Sequence, residues 1–233
     1  MPKKLYTHVF FDLDHTLWDF DANNLLTFDE MLSKHKLYSP VIPDLETFMT
    51  AYKKHNKALW DLYKEGKIEK SFLSYHRFEL TLLDFGIENI ETAKAMAADY
   101  ISISPTKTIL RNGSHEILSY LQSRYALGLI TNGFNEIQFV KLEKAGLKKY
   151  FPLVVTSEEA GCKKPEPDIF HYALKKAGAR PETSIYVGDE PETDVVGAKA
   201  AGVDQILVTF GKDFTAIDAT HVVDTLPEIA QIL

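Results

Sequence analysis

The stretch Val9-Phe10-Phe11-Asp12-Leu13-Asp14-His15-Thr16-Leu17 decides the reading of this chain. Large apolar residues lead straight into two carboxylates one residue apart, the pattern of a buried strand that ends in acid. Carboxylates placed so beside a core repel each other and lose hydration, unless a cation or a transferred proton relieves the cost. Packing alone gives no reason to put them there. A metal-assisted reaction does. Asp19 and Asp21 repeat the spacing with no apolar strand before them, and are read as solvated or helix-capping.

From Trp18 to about Ser104 the apolar positions recur at helical spacing. Leu25, Phe28 and Leu32 form one stripe, and Leu45, Phe48, Tyr52, His55, Leu59 and Leu62 a second. Phe72, Tyr75, Phe78 and Leu82 form a third, and Ala93, Ala97, Tyr100 and Ile101 a fourth. Breaks fall at Ser39-Pro40, Pro43-Asp44, Gly66 and Gly86, and Asp21 or Asn23 is a candidate cap for the first helix. From about Thr106 the pattern alternates. Strands are expected at Ala126–Thr131, Leu153–Thr156, Ser184–Val187, Gln205–Val208 and Val222–Val223, and helices through about Ala145, over Pro165–Ala177 and over Val195–Ala201. Strands alternating with helices predict an α/β fold, a doubly wound parallel sheet covered on both faces. The first strand belongs to it, so the helical block interrupts it: a core of residues 1–17 and 106–233, and an inserted helical domain of residues 18–105. Hinges are expected near Trp18–Asp21 and Ser104–Lys107.

The 233 residues carry a net charge of −7 and a pI near 5.6, with 45% hydrophobic and 25% charged residues. No basic stripe is present, which argues against a nucleic-acid polymer or an anionic membrane as partner. The single cysteine, Cys162, permits no internal disulfide and fits a reducing compartment. No run approaches the roughly 18 apolar residues of a membrane span. Met1-Pro2-Lys3-Lys4 is not followed by a signal-peptide core, so the expected location is the cytoplasm. A monomer or weak homo-oligomer is expected.

Ligands of an open parallel sheet bind beyond the carboxyl ends of its strands. Asp12, Asp14 and Thr16 follow the first strand. Thr131, Asn132 and Gly133 follow the second. Lys163 and Lys164 come after the third. Gly188 and Asp189 end the fourth, with Asp194 a turn later. Carboxylates without histidine or cysteine partners are hard oxygen ligands suited to Mg²⁺. Backbone N–H groups near Thr131 and Asn132, where a helix begins, favour an anion, and Gly133 lets the backbone approach. Lys164 can neutralise a phosphate and a carboxylate together. Metal, lysine and helix start around two aspartates describe phosphoryl transfer.

With these residues in this order, the chain resembles the haloacid dehalogenase superfamily, and within it the phosphatases that carry a helical cap after the first strand. The resemblance runs from Phe10 to about Val208. It rests on Asp12-Leu13-Asp14-His15-Thr16, Thr131-Asn132-Gly133, Lys164-Pro165-Glu166-Pro167, and Gly188-Asp189 through Asp194. It implies a Rossmann-like core with the first strand central. It implies that Asp12 is the nucleophile and Asp14 the acid, then base. Thr131, Asn132 and Lys164 would hold the phosphoryl group. Mg²⁺ would sit on Asp12, Asp189 and the Asp14 backbone carbonyl, with Asp194 supporting Lys164 or a metal-bound water. Thr16, Gly133 and Gly188 would support the site.

Related dehalogenases lack a carboxylate where Asp14 stands, because halide leaves without a proton. Asp14 therefore points to phosphate-ester hydrolysis, and a module that only bound a phosphorylated ligand would have no use for it. The expected substrate is a small phosphorylated metabolite. The helical insertion resembles that of bacterial nucleotide phosphatases, which implies nucleoside 5′-monophosphates ahead of sugar phosphates. Trp18, following the catalytic loop, is a candidate pocket residue. Trp60 and Arg77 are candidates for base recognition, against the favoured alternative that Trp60, Tyr63 and Phe78 pack the interior of the insertion.

Overall fold

The computed structural model describes residues 5–214 and 218–233; the Met1–Lys4 stretch considered above lies outside them. In chain order the strand β1 (His8–Phe11) is followed by four helices, α1 (Phe20–Lys34), α2 (Leu45–Lys64), α3 (Lys70–Asp84) and α4 (Ile90–Ile103). Then come α5 (Ser114–Leu121), β2 (Ala126–Thr131), α6 (Asn135–Lys144), β3 (Leu153–Thr156), α7 (Ser157–Ala160) and α8 (Pro167–Ala177). β4 (Ser184–Gly188), α9 (Val196–Ala200), β5 (Asp204–Val208), β6 (His221–Val223) and α10 (Ile229–Ile232) complete it. The chain divides into two compact units, Met1–Phe20 with Thr108–Leu233, and Asp21–Lys107.

The first unit is the α/β sheet expected from the alternating pattern. Its strands run β3-β2-β1-β4-β5-β6, all parallel, with β1 between β2 and β4. Side chains alternate across a strand. Val9 and Phe11 join Leu129, Val187 and Ile206 on one face, beneath Leu118 of α5, Leu142 of α6 and Ile229 of α10. Phe10 joins Ile130, Val155 and Tyr186 on the other, beneath Phe170 of α8 and Ala198 of α9. Burial on both faces explains why the strands read as unbroken apolar runs.

The second unit is built around aromatic contacts. Phe28 of α1 meets Tyr52 of α2 at 4.3 Å and Phe78 of α3 at 6.1 Å between ring centroids, and Tyr100 of α4 at 5.7 Å. Asp44 caps α2 through the Thr47 N–H, and Asn89 caps α4 through the Thr92 N–H. Tyr63 and Phe78 are core residues. The Arg77 guanidinium is buried over the Tyr100 ring at 4.6 Å and donates to Asn56 Oδ1 at 3.0 Å, so packing accounts for it. Trp60 is half-buried, edge-on to Tyr63.

Several local expectations shift. Asp21 stands inside the first turn of α1, where its charge suits the helix dipole, and Asn23 is buried within the helix rather than capping it. Asp19 is not solvated: its carboxylate accepts from Arg111 Nη1 at 3.1 Å. The segments leaving and rejoining the sheet unit are zipped together. Asp19 N–H donates to Ile109, and Arg111 N–H donates to Leu17. Helix α5, only eight residues long, has no counterpart in the sequence reading. Helix α8 begins at Pro167, two residues later than read.

Gly128 in β2 lies against Phe10 in β1, and a Cβ there would stand 2.6 Å from the Phe10 ring. Gly128→Ala is expected to cost about 1–3 kcal/mol by overpacking. Thermal melting checks this, and an unchanged melting temperature would contradict the contact.

Candidate active site

Period-two alternation carries Asp12 onto the face of Phe10 and Tyr186, beyond the last strand residue. Its N–H donates to Val187 at 2.9 Å, which continues the β1–β4 ladder one residue past the strand. There Asp12 meets Lys164. The buried ammonium donates to Asp12 Oδ1 at 2.6 Å, Asp194 Oδ1 at 2.7 Å and the Tyr186 hydroxyl at 2.9 Å. The Tyr186 hydroxyl in turn lies 3.1 Å from the Ile130 carbonyl oxygen. Asp194 Oδ2 accepts from the Glu190 N–H at 3.1 Å, so both its oxygens are engaged. Its carboxylate packs against Gly188 where a side chain would otherwise stand.

Asn132 fixes the position of Lys164. Its Nδ2 donates to the Lys164 carbonyl at 2.9 Å and its Oδ1 accepts from the Lys164 N–H at 2.8 Å. The amide expected at the phosphoryl group is thus committed to the Lys164 backbone. Asp189, at the end of β4, accepts from Thr16 Oγ1 at 3.1 Å and from the half-exposed Lys212 at 3.3 Å.

Asp14 points to a different set of partners. Its Oδ1 accepts from Lys141 Nζ at 2.5 Å, and its Oδ2 from Gln138 Nε2 at 2.6 Å. The same Gln138 nitrogen donates to Thr131 Oγ1 at 2.8 Å. A Cβ on Gly133 would stand 1.8 Å from that nitrogen, so this glycine makes room for the Gln138 amide. His15, at φ 67°, turns the loop, and its carbonyl accepts from Arg111 Nε at 3.1 Å. Trp18 is not a pocket wall: it has no exposed surface, packs in the sheet core, and has Lys141 Nζ 3.9 Å from its ring centroid. The sequence reading missed Gln138, Lys141, Tyr186 and Arg111.

Charge at this site is unbalanced. Asp12, Asp189 and Asp194 are buried, with one oxygen of each within 4.8 Å of the others, and the buried ammonium of Lys164 lies against Asp12 and Asp194. Burial pushes Asp12 well above the ordinary carboxylate range; Lys164 opposes this, while Asp194 and Asp189 add to it. Burial and Asp194 also raise Asp189. Burial would lower Lys164, but Asp12 and Asp194 hold it as a cation. Burial would raise Asp14, but Lys141 and Gln138 outweigh it and hold the carboxyl below its usual range. A hard divalent cation on Asp12 and Asp189 fits this all-oxygen donor set and its excess negative charge.

The family described as haloacid dehalogenase-like hydrolase matches residues 9–208. The chain is 35% identical to a pyrimidine 5′-nucleotidase, YjjG, of Escherichia coli over 97% of this chain and 96% of that protein. It is 32% identical to a glyceraldehyde 3-phosphate phosphatase of Methanothermobacter thermautotrophicus over 97% and 98% of the two chains. The solved structure of the HAD-hydrolase YfnB from Bacillus subtilis, bound to magnesium, superposes with a TM-score of 0.89 at 26% identity, covering 99% of each chain. The chain belongs to the haloacid dehalogenase-like hydrolase family. It is an enzyme, and with an acid at Asp14 and phosphatases among its full-length relatives it is a phosphatase of that family, a phosphoric monoester hydrolase. Among the described residues no helix is long and apolar enough to cross a membrane.

Without metal, a carboxyl whose pKa is raised on folding binds its proton more readily in the folded chain. It therefore adds stability at low pH, and that contribution disappears as pH rises through the raised value. Asp12 and Asp189 both have this sign. Added Mg²⁺ is expected to raise the melting temperature in neutral and alkaline solution, by an increment that shrinks toward acid as the ligands protonate. Melting curves with and without Mg²⁺ across pH check this. Indifference to Mg²⁺ at every pH would contradict the metal assignment.

Proposed function

We propose that this chain is a Mg²⁺-dependent phosphomonoesterase working through an aspartyl-phosphate on Asp12, with nucleoside 5′-monophosphates as its substrates. The observation that carries the reaction class is the buried Asp12–Lys164–Asp194 set, beside which Asp14 is held by separate partners. An Asp12 oxygen attacks phosphorus while the ester oxygen departs, taking a proton from Asp14, which Lys141 and Gln138 hold ionised in the free site and which therefore gains that proton from solvent before the first half. In the second half Asp14 takes a proton from water, whose oxygen attacks phosphorus and returns Asp12 as a carboxylate. Lys164 and the Thr131 hydroxyl hold the phosphoryl oxygens. Asp12, Asp189 and the Asp14 carbonyl would hold a magnesium ion, which supplies neutralisation of the charge shared by nucleophile and phosphate. Asp194 keeps Lys164 charged and aimed.

The nucleotide part rests on the likeness to YjjG along nearly the whole chain. A sugar or triose phosphate is the second reading, because a relative named glyceraldehyde 3-phosphate phosphatase is also matched almost end to end. The helical unit, as in the family resembled, is assigned the selection of the organic part of the ester. The core (1–17 with 106–233) is assigned the chemistry, and residues 18–105 the role of cap.

A panel of nucleoside monophosphates, sugar phosphates and nitrophenyl phosphate, assayed for released phosphate with Mg²⁺, tests both parts. Nucleoside 5′-monophosphates are expected to give the highest kcat/KM; preference for sugar phosphates over every nucleotide would reject them. On the same panel Asp14→Ala is expected to lose more on alkyl esters than on nitrophenyl phosphate, whose leaving group needs little protonation. Equal losses would contradict Asp14 as the acid.

A further inference from the structure

Helix α6 is partly inside out. Ile137 and Leu142 are buried, as an amphipathic helix requires. Yet Gln138 and Lys141 are 0% and 3% exposed, while Phe139 and Val140 face outward at 39% and 37%. Taking an ammonium and an amide out of water is costly unless their partners compensate. The two residues stand three apart and share a face.

Their partner is Asp14, and they hold different oxygens of it. A carboxylate gripped at both oxygens has both side-chain torsions fixed. Lys141 is itself confined beneath aromatic rings, with Nζ 3.9 Å from the Trp18 centroid and 5.4 Å from that of Phe20. The Gln138 amide nitrogen has two hydrogens, and the second goes to Thr131 Oγ1. That oxygen also accepts from the Gly133 N–H at 3.1 Å. With two donors on its oxygen, the Thr131 hydroxyl keeps its own hydrogen free to donate elsewhere. Gln138 Oε1 is buried without a hydrogen-bond partner. An orphan buried acceptor is unfavourable, because its hydration is lost and nothing replaces it. The amide thus stands in the orientation that serves Asp14 and Thr131 at the expense of its own carbonyl.

We propose that Gln138 and Lys141 are positioning residues of the reaction: Lys141 aims Asp14, and Gln138 aims Asp14 and Thr131 together. One brace on α6 would then set the proton-transfer carboxylate and the phosphoryl-holding hydroxyl in a common register. This rests on the roles given to Asp14 and Thr131 under the proposed function.

The test compares Asp14→Ala, Lys141→Met, Lys141→Arg and Gln138→Leu, with the doubles Asp14→Ala/Lys141→Met and Asp14→Ala/Gln138→Leu. Each is assayed with Mg²⁺ on the best ester of the panel and on nitrophenyl phosphate, on which Asp14→Ala is expected to keep measurable turnover. Lys141→Met is expected to lower kcat on the best ester about 10- to 100-fold with KM little changed, the scale of a misplaced catalytic group. Lys141→Arg should restore part of the loss. In the Asp14→Ala background, Lys141→Met should cost less than about twofold on nitrophenyl phosphate, because its effect passes through the missing carboxylate. Gln138→Leu should still cost severalfold there, because Thr131 remains loosened. A Lys141→Met loss of full size in the Asp14→Ala background, or none in the wild type, would overturn the inference. Should Lys141→Met fail to fold, Lys141→Gln carries the same comparison. Failure of the underlying reading is distinct: Asp14→Ala itself would then show wild-type turnover on every ester.

Discussion

The ammonium of Lys164 is the interaction on which the site depends. Asp12 and Asp194 both stop on it, and all three side chains are buried. Removing one partner from such a group costs about 3–5 kcal/mol, because the remaining charges are left in a poor solvent. Lys164 therefore has to be delivered accurately. Asn132 does so by bonding both ways to its backbone, and Tyr186 by accepting from its third hydrogen. Lys164 and the half-exposed Lys212 beside Asp189 leave three buried carboxylates with excess negative charge. That excess is what the proposed magnesium ion would neutralise.

The sheet supplies the convergence. β1 lies between β2 and β4, so the loops after these strands open at the same edge. The turn just beyond β1 then separates two tasks. Phe10 and Asp12 belong to the face of Tyr186, Phe170 and α8, where Lys164 arrives. Asp14 turns toward α6, which packs on the opposite face. The two carboxylates are thus two residues apart in sequence yet have different partners, Asp12 the Lys164 that precedes α8 and Asp14 the Lys141 of α6. This lets one carboxylate stand beside a lysine in an acidic cluster, with its pKa raised, while the other is held below its ordinary range by a lysine of its own.

Much of this was readable in the sequence, for physical reasons. Strands buried on both faces are short apolar runs bounded by turn residues, and β2 and β3 fall where those runs predict. The family motifs sit at strand ends because ligands bind there. What was not readable depends on tertiary partners. Nothing in the sequence marks out Lys141 taken alone; only the fold reveals the carboxylate and the Trp18 ring that receive it. The exposed Phe139-Val140 pair flanked by Gln138 and Lys141 was the signal available, since a surface helix would place these the other way round. Tyr186 lies in an expected strand, and its signal is that a buried phenol needs a hydrogen-bond partner. Asp19 looked solvated because its partner, Arg111, lies across the insertion in sequence. Trp18 was assigned to a pocket from its place after the loop, but the chain turns it into the core.

The account stands on a covalent bond between the Asp12 carboxylate and phosphorus. The most direct measurement is acid quenching during turnover of a preferred ester, followed by peptide mass analysis of the segment around β1. The account predicts a phosphoryl group on Asp12 in the wild type and none in Asp12→Asn, which should also fail to release phosphate. Rapid turnover with Asp12 unmodified under every quench, or undiminished turnover by Asp12→Asn, would contradict it.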